Sequence, residues 1–211
     1  MRKPRILIAD DHQLLSAAFE KLLETHCEIV GIVADGRALL DAARELEPDI
    51  ILLDISMPLL NGLEAGRQIR KLLPDVKLIY LTVNEDPEVA AEAFRLGASG
   101  YLLKNSAANE LFQAVNEVAR GRSYVTPLVA RGTFEAMKRA TPRKAEDRLT
   151  PRQREVLQLL AEGHSMKEAG TILGVTARTV AHHKYTMMRG LEIGTTAELV
   201  QFAVKHGIVS A

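Results

Sequence analysis

Short apolar runs alternate with amphipathic helical patterns through the first 120 or so residues, and this alternation constrains the fold more than any other feature. Residues 5–9, 49–53 and 77–81 are runs of about five, mostly apolar residues. Such runs suit strands covered on both faces. Residues 28–33 form a weaker run interrupted by Gly31, and residues 100–103 form a short one ending at Lys104. Helical patterns fall between and after them, at about 12–25, 36–46, 62–73, 86–96 and 107–120. In the first of these, Leu14, Leu15, Ala18, Phe19, Leu22 and Leu23 repeat at i, i+3/i+4, which is the mark of an amphipathic helix. Strand-then-helix repeated five times predicts an α/β fold, a doubly wound five-stranded parallel sheet. Ligands of such folds sit at the carboxyl ends of the strands.

The polar residues collect at those ends. Asp10 and Asp11 follow the first strand, Asp54 the third, Thr82 the fourth and Lys104 the fifth. Each has a bland reading: Asp10 with Gln13 fits a capping box, and Asp54 could be a turn carboxylate. All five at one rim are hard to explain that way. Three clustered carboxylates repel and call for a cation, and Mg²⁺ is a hard ion that takes oxygen ligands. A carboxylate beside such an ion is a competent nucleophile for phosphoryl transfer, forming an acyl phosphate. Lys104 can supply an ammonium and Thr82 a hydroxyl to the added oxygens.

The order Asp10-Asp11, Asp54, Thr82, Lys104 resembles a response-regulator receiver domain. Asp54-Ile55-Ser56-Met57-Pro58-Leu59-Leu60-Asn61-Gly62 is similar to that family's D-x-x-M-P-x-x-x-G signature, and Gly100–Lys104 to its fifth strand. The resemblance implies the flavodoxin-like strand order 2-1-3-4-5. It implies that Asp54 is the phosphoacceptor. It implies that Asp11, Asp54 and the Ser56 carbonyl hold Mg²⁺ directly, with Asp10 acting through water. Lys104 would pair with the phosphoryl group, Thr82 would move to contact it, and Tyr101 would be the switch aromatic drawn inward.

The chain has 27 basic and 27 acidic residues, a formal net charge of zero that, taken whole, argues against nucleic acid. The sum hides two unlike halves. Residues 1–121 carry 13 basic and 19 acidic residues, a net of −6, and residues 122–211 carry 14 and 8, a net of +6. A basic half favours phosphate backbones. The single cysteine, Cys27, excludes an intrachain disulfide and a cysteine-rich zinc module. No apolar run approaches the ~20 residues of a membrane helix. A cytoplasmic protein is therefore expected.

Residues 122–147 read as a basic linker, part helical at about 127–140. From 148 onward helix signals are dense. Thr150-Pro151-Arg152-Gln153 and Ser165-Met166-Lys167-Glu168 are capping boxes, as is Thr195-Thr196-Ala197-Glu198. Thr176 can cap a third helix after Gly174, and Gly207 follows the last. Helices are expected at about 151–162, 165–173, 176–190 and 195–206. The middle pair make a helix-turn-helix layout in a small all-α, four-helix domain. On the second of them Arg178, His182, Tyr185 and Arg189 share a face opposite Val180 and Met187. A recognition helix presents such donors to bases and phosphates. His182-His183 does not read as a metal site, because neighbouring helical side chains diverge by about 100°.

Leu149–Leu157, Glu162-Gly163 and Thr179-Val180-Ala181-His182-His183 resemble a LuxR-type helix-turn-helix domain. Receiver plus this domain resembles the NarL/FixJ family. That implies DNA contacts from Arg178, Thr179, Ala181, His182, Lys184, Tyr185 and Arg189. It implies a sensor histidine kinase, double-stranded promoter DNA and RNA polymerase as partners, and a homodimer when active. Ala169-Gly170, Ala181, Tyr185 and Gly190 depart from the family pattern. Two rival functions remain open. One is a regulator of the same kind that works without phosphorylation. The other is an Asp-dependent phosphohydrolase, which would want an acid where Ser56 stands.

Overall fold

A computed structural model describes residues 2–139 and 149–209. The chain divides into two compact units, one built from Met1–Met57 and Gly62–Ala140, the other around Thr141–Ala211.

In the first unit β1 (Arg5–Ala9), β2 (Glu28–Val33), β3 (Ile50–Asp54), β4 (Lys77–Thr82) and β5 (Gly100–Leu103) alternate with α1 (Gln13–Leu23), α2 (Gly36–Leu46), α3 (Gly62–Leu72), α4 (Pro87–Arg95) and α5 (Ala107–Ala119). The sheet order is β2-β1-β3-β4-β5-β6, and every neighbouring pair is parallel. The expected order 2-1-3-4-5 is therefore present, but the sheet has a sixth strand. β6 (Tyr124–Val125) pairs with β5 in the register Gly100↔Tyr124 and Tyr101↔Val125. A two-residue strand has no periodicity of its own, and only the open edge of β5 makes it one.

Ile6, Ile8, Ile50, Leu52, Ile79, Leu81 and Leu102 point to one face and pack against Phe19, Leu23, Leu111, Val115 and Val118. Their neighbours Leu7, Ile51, Leu53, Leu78 and Tyr80 are equally buried on the other. Full burial of one such side chain contributes about 1.5–3 kcal/mol, so this sandwich fixes the strand ends firmly. Gly31 marks a register shift between β1 and β2, and a Cβ there would lie 2.9 Å from Leu46 Cδ1.

The segment expected as linker is mostly structured. α6 (Pro127–Lys138) packs on α4 through Val129, Thr133 and Ala136. Gly132 sits so close to Pro87 that a Cβ would be 2.6 Å from its Cγ. Arg95 donates to the Ala136 carbonyl at 2.9 Å. The remaining linker positions, 140–148, lie outside the described residues.

The second unit holds α7 (Pro151–Ala161), α8 (Met166–Leu173), α9 (Ala177–Leu191) and α10 (Thr196–Lys205). All three capping boxes form with both reciprocal bonds. Thr176 accepts from the Thr179 N–H at the start of α9. Gly174 and Gly207 have positive φ just past their helices, where a side chain would be strained. Val156, Leu157, Ala169, Leu173, Val180, Met187 and Leu199 form the core. Gly170 has a packing reason: a Cβ there would be 2.8 Å from the Val175 carbonyl oxygen, where α8 abuts the turn into α9.

Candidate functional site

The carboxyl rim of the sheet gathers the acidic residues. Asp10 directly follows β1 and Asp54 ends β3, with side chains 0% and 2% exposed. Asp11 is more open. Asp10, Asp11, His12 and Asp54 each offer a donor atom within 4.8 Å of the others. Lys104, just beyond β5, reaches across the rim. Its Nζ lies 2.8 Å from Oδ2 of both Asp10 and Asp54, and its side chain is 8% exposed. Lys104 is thus the shared cationic partner of both oxygens. Burial pushes the Asp54 carboxyl above its ordinary pKa, an effect that Lys104 opposes and Asp10 reinforces. Two buried carboxylates with one ammonium leave a net negative hollow. A donor set of three clustered carboxylates, with more negative charge than one ammonium offsets, fits a hard divalent cation.

Local chain geometry builds this hollow. Asp10 is not the cap of α1: that position is His12, and Asp10 Oδ1 instead accepts the His12 N–H at 2.9 Å. Asp54 Oδ1 accepts the Ser56 N–H at 3.2 Å. The last glycine of the 54–62 motif has a steric reason. A Cβ on Gly62 would be 2.1 Å from the Asp54 carbonyl oxygen, so only glycine lets α3 start directly against the end of β3.

Thr82 ends β4, buried, and its Oγ1 accepts the Asn84 N–H at 3.0 Å. Tyr101 is fully buried, and its hydroxyl donates to the Asn84 carbonyl at 3.0 Å. Burial raises its phenol pKa well above the ordinary value. The inward position expected only after switching is thus the one observed. Asn84 ties both Thr82 and Tyr101 to the loop before α4, and nothing in the sequence singles it out.

β6 is anchored from the same edge. The Thr126 hydroxyl accepts the Leu103 N–H at 3.1 Å and donates to Glu110 Oε2 at 2.9 Å. The Tyr124 hydroxyl donates to that same oxygen at 3.0 Å.

On α9, Arg178, His182, Tyr185 and Arg189 are exposed, and Thr179 and Ala181 are partly so. Lys184 differs from the expectation. It is 9% exposed, and its ammonium donates to the Thr196 hydroxyl at 2.7 Å. It faces α10, on the side of Val180 and Met187. Burial, then the neighbouring His182, lowers the His183 pKa.

Comparison with known proteins agrees with this arrangement. Residues 6–116 match the response regulator receiver domain, and residues 147–203 match the bacterial regulatory proteins of the luxR family. The transcriptional regulatory protein MctR of Rhizobium johnstonii is 34% identical over 99% of this chain and 96% of its own length. The response regulator GacA of Pseudomonas aeruginosa is 31% identical over 98% of each chain. Among solved structures, the Salmonella typhimurium response regulator RcsB is 26% identical, covering 97% of this chain and 100% of that one, with a TM-score of 0.59. A structure of two RcsB dimers bound to two parallel DNAs matches at 26% identity over 95% of this chain and 98% of that one, also with a TM-score of 0.59. With a receiver sheet and a LuxR-type helix-turn-helix in one chain, the protein belongs to the NarL/FixJ family of two-component response regulators.

Proposed function

We propose that the protein is a DNA-binding transcription regulator switched by phosphorylation of Asp54. The observation that carries this reading is the buried Asp54 carboxylate, 2.8 Å from the Lys104 ammonium and grouped with Asp10 and Asp11. A sensor histidine kinase or a small phosphodonor supplies the phosphoryl group. An Asp54 carboxylate oxygen attacks phosphorus as the bond to the donor's leaving atom breaks. When the donor is a phosphohistidine, the electron pair returns to the imidazole nitrogen, which takes up a proton. Lys104 pairs with the oxygens that arrive. Asp11, Asp54 and the Ser56 carbonyl would hold Mg²⁺, with Asp10 behind them through water. The ion supplies positive charge that offsets both the carboxylates and the incoming phosphate.

The acyl phosphate gives the Thr82 hydroxyl a stronger acceptor than it has now. Movement of Thr82 disturbs its bond with Asn84, and Asn84 also holds Tyr101. The loop before α4 is therefore the bistable element that phosphorylation biases. Output passes to the second unit, where Arg178, Thr179, Ala181, His182, Tyr185 and Arg189 face the major groove of promoter DNA. Two copies, paired when active, would read half-sites about one turn apart. RNA polymerase is the downstream partner. No helix among the described residues is long and apolar enough to cross a membrane, in keeping with a cytoplasmic site of action.

The test is phosphoryl incorporation from a small phosphodonor with Mg²⁺. Wild type is labelled and Asp54→Ala is not; labelling that persists in Asp54→Ala overturns the assignment. Selection from random DNA with the phosphorylated protein tests the second half, and binding there weakens steeply with salt as counterions are released. Equal selection by Asp54→Ala would favour a regulator that works without phosphorylation.

A further inference from the structure

What α9 lacks narrows what it can read. Between Ala177 and Leu191 it carries no Asp, Glu, Asn or Gln. Adenine is read directly by paired contacts from Asn or Gln, and cytosine by a carboxylate that accepts from its amino group. Neither route is open to α9. In a helix-turn-helix the N-terminal half of the second helix meets the base edges. There the outward side chains include Arg178, Ala181, His182 and Tyr185. Projected down the helix axis, Ala181, Tyr185, Arg178 and His182 fall in that order across about 100°. One side of the face is thus apolar and the other holds the donors. Tyr185 is the large side chain of the apolar side, 56% exposed. The Lys184 ammonium, bonded to the Thr196 hydroxyl at 2.7 Å, lies 5.7 Å from the centre of its ring, within reach of a cation–π contact. The ring is held from its own domain's side and open on the other. Ala181, four residues earlier, is its neighbour on the helix surface, with about 5–6 Å between Cβ atoms.

From this placement we infer that Tyr185 and Ala181 form an apolar contact for the C5-methyl group of thymine, and that this contact sets the DNA sequence preference of the chain. The inference rests on the reading that α9 enters the major groove of DNA. Thymine alone among the four bases carries a methyl group in that groove, and alanine and aromatic side chains are the kind that pack against it. The exposed ring is apolar surface, so closing it against a methyl group removes both from water, which is favourable. Arg178 and His182, on the adjoining side of the face, donate to the N7 and O6 acceptors of purines. The preferred half-site therefore combines thymine under Tyr185 with a purine next to it. Lys184 is a positioning residue in this arrangement: it backs the ring and touches no base.

The test removes single methyl groups from the DNA. Full-length phosphorylated protein is titrated with the duplex recovered from random-sequence selection, and then with duplexes in which each thymine in turn is replaced by deoxyuridine. The two bases differ only in the C5-methyl group. At one or two positions in each half-site the Kd of wild type should rise about fourfold, the worth of one buried carbon of this kind, and elsewhere it should not change. Tyr185→Ala should bind the thymine duplex more weakly and treat thymine and deoxyuridine alike. Tyr185→Phe keeps the ring and should keep the discrimination. Because no charge is altered, the salt slope of binding should be the same in all three proteins. Specific binding that tolerates deoxyuridine at every position overturns the inference and leaves DNA binding by α9 intact. So does a deoxyuridine penalty that persists unchanged in Tyr185→Ala. Loss of discrimination in Tyr185→Phe would assign the contact to the hydroxyl and overturn it equally. No selection of any sequence by the phosphorylated protein overturns the DNA-binding reading itself, and the role of Tyr185 with it. The thermal midpoint of each variant should match wild type, since the ring is largely exposed.

Discussion

Removing the Lys104 charge should expose how heavily the rim depends on it. Lys104→Met keeps most of the stem and deletes the ammonium that lies 2.8 Å from both Asp10 and Asp54. Two buried carboxylates would then face each other unpaired. Breaking a buried pair by removing one partner costs about 3–5 kcal/mol, and the first unit should lose stability on that scale when cations are chelated. A bound cation takes over part of the role. At about 100 times its Kd it adds about 2.7 kcal/mol by linkage, so excess Mg²⁺ should return much of the loss. The assay is urea unfolding in EDTA and then in Mg²⁺, followed by near-ultraviolet tyrosine signals, since Tyr80 and Tyr101 are fully buried in this unit. The informative background is Asp54→Asn, in which one of the two charges is already gone. There Lys104→Met should cost clearly less, and the difference is the coupling energy of the pair. A loss under about 1 kcal/mol in EDTA, the scale of an exposed pair, would refute the electrostatic argument. So would the same loss with and without Asp54→Asn.

Five further outcomes follow from the geometry. Gly62→Ala forces a Cβ to 2.1 Å from the Asp54 carbonyl oxygen; it should cost about 1–3 kcal/mol as overpacking and slow phosphoryl incorporation, and an unchanged melting curve and rate would contradict the packing. On α9, Arg178→Ala should lower the salt slope of DNA binding by about one without moving the thermal midpoint. Lys184→Met should do the reverse, losing about 1 kcal/mol of stability with the hydrogen bond to Thr196 and leaving the salt slope alone. Gly190→Ala has nothing within 4 Å of the new Cβ and should stabilise α9 by about 0.5–1 kcal/mol, read from the second unit's unfolding midpoint. Glu198 is held below the ordinary carboxylate value of 4.5 by the Gly194 and Thr195 N–H groups. Its contribution is therefore present above pH 4.5 and lost as pH falls through the lowered folded value. The thermal midpoint gap between wild type and Glu198→Gln should shrink across that window, and a constant gap would contradict the sign.

Much of this was legible from residue order. Strand runs, helix caps and the five rim residues are local signals, and each lies where its pattern points. The misses share a cause, which is dependence on a partner far away in the chain. β6 exists because Tyr124 and Val125 find the β5 edge. Asn84 matters because Tyr101 reaches its carbonyl from another strand. Lys184 is a different kind of miss. On a helical wheel it falls about 40° from Val180 and about 60° from Met187, so periodicity already turned it toward their side. Its charge suggested DNA, but the pattern of its neighbours was the better guide.

The extra strand and helix alter where this chain can be cut. A receiver fragment ending at residue 121, where the motif-bearing part stops, would leave the Leu103 N–H without Thr126, strip the cover from Pro87, and reopen the β5 edge as a template for pairing with other chains. A fragment carried through Lys138 would keep all three closed. The unit that folds is thus longer than the unit that carries the signature. Chimeras that exchange output domains should be joined after α6, where the exchange leaves the sheet and its edge intact.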